Sequence, residues 1–201
     1  MSNSSNRSAS SVDLGALLEE SGAILHGHFL LSSGRHSDVY FEKFRVLTQP
    51  RVLTVLCSGI ASHFSDVGFE CVAGPLTGGI IIAFDVARQM GVPAVYVESE
   101  DGVKTLRRSQ TIPVGSKVLV VDDVLTTGLS VEETISAVNN AGGEVRGVGV
   151  LIDRSQKEMD FGCPLFASYK VDAQSWTPED VPEWLAKIEV TKPGTRKERR
   201  L

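Results

Sequence analysis

The residues Lys117 to Glu133, KVLVVDDVLTTGLSVEE, bring together three features that can do chemistry. Val118 to Val121 are four consecutive apolar residues and predict a buried strand. Asp122 and Asp123 sit at its carboxyl end. Thr126, Thr127, Gly128, Leu129 and Ser130 then bend the chain into a helix. Ser130 with Glu133 reads as a capping box, which predicts the helix start at that point. Backbone N–H groups and hydroxyls converge at such a helix N-terminus, where a phosphate monoester binds with help from the helix dipole. The two carboxylates cannot hold phosphate, but they suit sugar hydroxyls or a divalent cation. The element therefore predicts a sugar-phosphate site. It carries neither the GxxxxGK[ST] nor the GxGxxG pattern. The plainer reading, a strand-turn-helix with acidic turn residues, leaves the coincidence of acid pair, small-residue loop and capping box unaccounted for.

Other chemistries find less support. There is no GxSxG elbow and no placeable Cys-His pair. Cys57, Cys71 and Cys163 form no CxxC and are odd in number, which fits a reducing cytosol and small apolar packing residues. His26 and His28 alternate like metal ligands, but no third ligand is evident. His36 falls where it can line a site, and His63 falls on a helix.

Elements that position the acid pair follow from pattern. Val12 to Gly22 predicts a short helix, and Ile24 to Phe41 predicts two strands around a Ser32-Ser33-Gly34 turn. Pro50 opens a helix carrying Val52, Val55, Leu56, Ile60 and Phe64 on one stripe. Strand and helix then alternate: strand 70–73, helix 78–90 stopped by Gly91, strand 93–97, strand 117–121, helix 131–141, strand 145–152. Continuous apolar strands in that rhythm mean an α/β fold, a parallel central sheet with helices on both faces. Right-handed crossovers bring the strand-to-helix loops to one edge, where ligands bind. Leu165 to Val171 reads as a further strand. Thr177-Pro178-Glu179-Asp180 reads as a helix start, with Trp184 and Leu185 docking that helix.

The 201 residues suit one domain. No run of about 18 apolar residues occurs, so no transmembrane helix and no membrane partner are expected. The net charge of −5 conceals a basic end: residues 192–201 carry five Lys/Arg and one Glu, leaving −9 for the rest. A body that acidic is a poor clamp for nucleic acid. The Ser-rich residues 1–12 are expected to be a disordered tail, and 191–201 a solvated basic tail.

The acid-pair stretch resembles the 5-phosphoribosyl-1-pyrophosphate (PRPP) signature of type I phosphoribosyltransferases. Further segments resemble the orotate branch of that family. These are Phe29 to Ser37 with Tyr40-Phe41, Gly74-Pro75-Leu76-Thr77-Gly78-Gly79, and Leu151-Ile152-Asp153-Arg154-Ser155. The order and spacing match from about residue 13 to 190. The resemblance implies a single domain there, with a small hood at about 13–48 and 160–190 and a core at about 50–155. It implies transfer of ribose 5-phosphate from PRPP to orotate with Mg²⁺, in the cytoplasm, by a homodimer. A transferase for another base, or a non-catalytic PRPP-binding regulator, are the alternatives.

Residue by residue, the resemblance assigns Asp122 and Asp123 to the ribose hydroxyls and, largely through PRPP and water, to Mg²⁺. It assigns PRPP also to Val124, Leu125, Thr126, Thr127, Gly128, Leu129 and Ser130, with Thr77, Gly78 and Gly79 on the pyrophosphate. Orotate falls to Thr126, to Arg154 through its carboxylate, and to Tyr40 and Phe41 through ring stacking. The stretch 98–112 is the expected lid. It lacks the Arg-Lys pair and the His common in that family, so Lys104, Arg107 and Arg108 are the expected catalytic cations.

Overall fold

The computed structural model describes residues 12–31, 33–100, 102–107, 110–171 and 173–193. Tail residues 1–11 and 194–201 lie outside these, as does Arg108. The core is a six-stranded sheet in the order β5-β4-β3-β6-β7-β8. Its strands are β3 (Cys71–Pro75), β4 (Ala94–Glu100), β5 (Val103–Leu106), β6 (Lys117–Leu125), β7 (Glu144–Asp153) and β8 (Leu165–Lys170). All neighbours run parallel except β4 and β5, which form a hairpin.

Alternation along each strand feeds two separate cores. Leu119, Val121 and Leu151 face α3 (Pro50–His63) and α4 (Gly78–Met90). Val118, Val120, Val148 and Val150 face Val131 and Val138 of α5 (Leu129–Asn140) on the other side. Both faces of the central strands are thus buried, which is why their sequences are continuously apolar rather than alternating. Gly149 lets α3 lie directly on the sheet: a side chain there would meet Ile60 at 2.5 Å.

The hood is a second sheet in the order β10-β1-β2-β9, built from β1 (Ile24–Leu30), β2 (His36–Phe41), β9 (Ser175–Trp176) and β10 (Val190–Thr191). Helix α1 (Leu14–Glu20) precedes it, and α2 (Lys43–Leu47) joins it to the core. Asp13 caps α1 by accepting from the Ala16 N–H at 3.1 Å. Inside the hood, buried His28 binds the Ile188 carbonyl at 3.0 Å and His36 at 2.6 Å, which ties His36 into the hood.

Several boundaries differ from expectation, each for a physical reason. Leu165–Lys170 pairs with β7 and belongs to the core, not to the hood, because its edge position completes the sheet over Val148 and Val150. Thr191 pairs in register with Phe29, so the basic tail begins after the hood sheet has closed. No helix starts at Thr177; its hydroxyl donates to Asp180 at 2.8 Å in a turn, and the short α6 (Glu183–Ala186) follows Pro182. Leu185 of α6 is fully buried, whereas Trp184 is half exposed and packs T-shaped with Trp176 at 6.0 Å between ring centroids. The stretch after Val97 is a hairpin rather than irregular chain.

Candidate active site

Strands β3, β6 and β7 end together at one edge of the core, and the site is assembled there. Strand β6 does not stop at Val121 but runs through both acids to Leu125, held by continued pairing with β7. Asp122 and Asp123 are both buried. The Asp123 N–H donates to Oδ1 of Asp122 at 2.8 Å, and the Val124 N–H donates to Oδ1 of Asp123 at 2.7 Å. Burial and the neighbouring Asp123 charge push the Asp122 carboxyl above its ordinary value, against hydrogen bonds from Ser130 and the Asp123 amide.

Helix α5 begins at Leu129, with Gly128 as its N-cap in the left-handed region at φ 84°. A side chain at 128 would be strained there and would crowd Phe161 at 3.3 Å. The expected Ser130–Glu133 capping box does not form. The Ser130 hydroxyl is taken up by Asp122 and by the Lys104 ammonium at 2.8 Å. No side chain caps α5, so its first N–H groups remain open toward a recess of about 50 Å³ lined by Asp122, Thr126, Thr127, Gly128 and Ser130.

Helix α4 repeats the arrangement. Thr77 is its N-cap, again without a side-chain cap, and the Leu76–Thr77 peptide is cis. Glycines bring this turn against the strand ends. A side chain at Gly74 would collide with the Gly79 carbonyl, and one at Gly78 with Oδ2 of Asp123. Two uncapped helix N-termini thus flank one pair of carboxylates, each end carrying about half a positive charge.

A larger cavity of about 450 Å³ opens beside Thr126 and Thr127 and runs under the hood. Tyr40, Arg154, Leu30, Leu31 and Ala173 are among the residues that line it. Arg154 is fixed by its backbone N–H, which donates to Leu125 at 2.8 Å. Among the described residues its Nε is buried without a partner, and its guanidinium donates to the Val39 carbonyl at 3.4 Å. Burial lowers its basicity, and nearby Tyr40 works the other way. Burial raises the Tyr40 phenol, with Glu42 adding to it.

Phe41 does not line this cavity. Neighbouring residues of a strand face opposite ways, so Tyr40 points to the cavity while Phe41 lies in the α3/α4 core. Two of the expected lid cations lie among the described residues. Lys104 reaches the first turn of α5, donating to the Ser130 carbonyl at 2.7 Å and pairing with Glu133 at 3.4 Å. Arg107 pairs with Glu100 across the hairpin at 3.2 Å. One residue escaped the sequence reading altogether: Lys43 donates to Oδ2 of Asp123 at 2.8 Å. Its signal, a Lys two residues past an aromatic pair, has no periodicity to mark it.

Residues 56–177 match the phosphoribosyl transferase domain family. A relative from Pelotomaculum thermopropionicum named orotate phosphoribosyltransferase is 46% identical over 182 residues, covering 90% of this chain and 96% of its own. The chain belongs to the orotate phosphoribosyltransferases. A second member, from Caldanaerobacter subterraneus, is 43% identical over 90% of this chain and 95% of its own. Among solved structures, the orotate phosphoribosyltransferase of Aeropyrum pernix superposes with a TM-score of 0.68 at 30% identity, over 79% of this chain and 93% of that one. The family likeness thus spans hood and core, including the cavity between them. No helix among the described residues is long and apolar enough to cross a membrane.

Proposed function

We propose that this chain transfers ribose 5-phosphate from PRPP to N1 of orotate, giving orotidine 5′-monophosphate and pyrophosphate. The observation that carries the reading is the cavity joining Thr126 and Thr127 to the half-satisfied guanidinium of Arg154. A half-buried cation with donors to spare wants a planar anion, and the carboxylate of orotate matches its fork. Tyr40 then covers the flat ring. The open N–H groups of α5 and the hydroxyls of Thr126, Thr127 and Ser130 take the 5-phosphate, and the Leu76–Gly79 turn takes the pyrophosphate.

The acids hold the ribose hydroxyls between the two anion sites. As the C1–O bond breaks, pyrophosphate takes the bonding pair, N1 of orotate forms the new C1–N bond, and the N1 proton leaves on pyrophosphate. Charge grows on pyrophosphate while the ribose gains oxocarbenium character. Fixed dipoles at the α4 and α5 termini and the adjacent carboxylates favour that separation. The hairpin β4–β5, tied to α5 through Lys104, is our candidate for excluding water from the reaction.

The donor set bears on Mg²⁺. Among the described residues no cluster of three or more His, Cys, Asp or Glu forms a cage. Two adjacent buried carboxylates fit an ion that draws its other ligands from substrate phosphates and water. Bound there, Mg²⁺ supplies charge neutralisation at the pyrophosphate, with Asp122 and Asp123 holding it. Cytoplasmic residence fits three free cysteines, and a homodimer fits the exposed apolar side chains of Phe44, Ile81 and Phe84.

The test is the loss of orotate absorbance with PRPP and Mg²⁺, with uracil, adenine and hypoxanthine in parallel. Turnover of orotate alone is expected. Turnover of another base, or PRPP-dependent thermal stabilisation with no turnover of any base, overturns the assignment.

A further inference from the structure

Lys43 opens α2, the link between hood and core, and α2 carries it to the seam between the two anion sites. Its ammonium donates to Oδ2 of Asp123 at 2.8 Å. The same oxygen lies against Gly78, the first residue of α4. Leu47, one turn along α2 from Lys43, approaches the Cβ position of residue 78 to 3.1 Å. The space beside Gly78 is therefore filled by α2, and α2 brings a cation with it. The Lys43 side chain is 43% exposed, so the ammonium keeps N–H donors for a ligand beyond the one given to Asp123.

The other cations near the acids are engaged differently. Lys104 is tied to Ser130, Thr134 and Glu133 on the α5 side, and Arg107 to Glu100. The Leu76–Gly79 turn has no charged side chain of its own. Its helix end offers only partial charge to a leaving group that gains a full negative charge as its bond breaks.

We infer that Lys43 is a pyrophosphate-binding residue, supplying from the hood the positive charge that the Leu76–Gly79 turn lacks. This rests on the transferase reading above. Asp123 holds the ammonium in place beforehand, so little reorganisation is needed when the anion arrives.

Lys43→Gln and Lys43→Arg separate charge from mere hydrogen bonding, because Gln keeps a donor for Asp123 and only Arg keeps the cation. Calorimetry of the full chain with inorganic pyrophosphate and Mg²⁺ gives affinity, and steady-state kinetics gives KM and kcat. Lys43→Gln should weaken pyrophosphate binding and lower kcat/KM for PRPP by about tenfold or more, while KM for orotate stays within about twofold. Lys43→Arg should recover most of both losses. Wild-type affinity in the Gln variant, or equal loss in Gln and Arg, overturns the inference. Acetylation footprinting of the unaltered protein needs no variant: pyrophosphate should protect Lys43, and unchanged labelling counts against the contact. If the wild type binds pyrophosphate through Lys43 yet never consumes orotate, the transferase reading falls and this contact stands.

Discussion

Replacing Arg154 with Met tests the base end of the site, because it removes the charge while keeping most of the volume. Among the described residues the guanidinium has a buried Nε with no acceptor and a long 3.4 Å contact to the Val39 carbonyl. A carboxylate arriving on its free edge gains two charge-assisted hydrogen bonds, each worth about 1.5–3 kcal/mol. Losing both costs roughly 3–6 kcal/mol, and at about 1.4 kcal/mol per decade kcat/KM for orotate should fall by about 10² to 10⁴. PRPP sits at the helix termini, so its KM should move by less than about threefold. Stability should go the other way. A buried donor without a partner costs about 1–3 kcal/mol, so Met at 154 should raise the melting temperature by about 2–12 °C for a chain of this size. Orotate absorbance gives the kinetics, and differential scanning fluorimetry gives the melting temperature. A loss below about tenfold, or equal losses for both substrates with a lower melting temperature, refutes the reasoning.

Other expectations follow from the same geometry. Asp122→Asn should abolish turnover yet leave the fold as stable or more stable at pH 7. Its carboxyl is raised above the ordinary 3.8, so its cost is absent below that value and present in full above the raised one; the melting temperature difference between wild type and variant should shrink as pH falls through that window. Gly78→Ala drives a methyl into Asp123 and Leu47, and should cost about 1–3 kcal/mol by denaturant titration together with most activity. Burial pushes Cys71 up to about 11 and Cys57 higher still, so a thiol reagent at pH 8 should titrate at most Cys163 in the native protein and all three cysteines in denaturant.

The elements with strong periodicity were legible in the chain alone. Helix 78–90 ends where Gly91 takes its left-handed cap, and the helix after Pro50 starts where proline permits. Strand β6 was read short because Asp122 and Asp123 look like turn residues; pairing with β7 outweighs that local preference. The Ser130–Glu133 signature misled because Lys104 and Asp122, remote in sequence, compete for the serine hydroxyl. Phe41 was read with Tyr40 although strand alternation separates them. Lys43 was missed because its meaning lies in a partner 80 residues away, which no local pattern encodes.

The hood sheet takes β1 and β2 from near residue 30 and β9 and β10 from beyond residue 174. During synthesis, therefore, the strands that bear the acids and both helix termini emerge and can pair while the hood still lacks its outer strands. At roughly 5–20 residues per second, the half that grips phosphates precedes by seconds the last strands of the sheet that encloses the base. A nascent chain passes through a stage with an anion-binding edge and an unfinished roof, in which Arg154 has Val39 and Tyr40 beside it but lacks the cavity wall formed by Ala173 and Ser175. Released chains truncated before residue 175 would isolate that stage, and they would bind pyrophosphate without discriminating among bases.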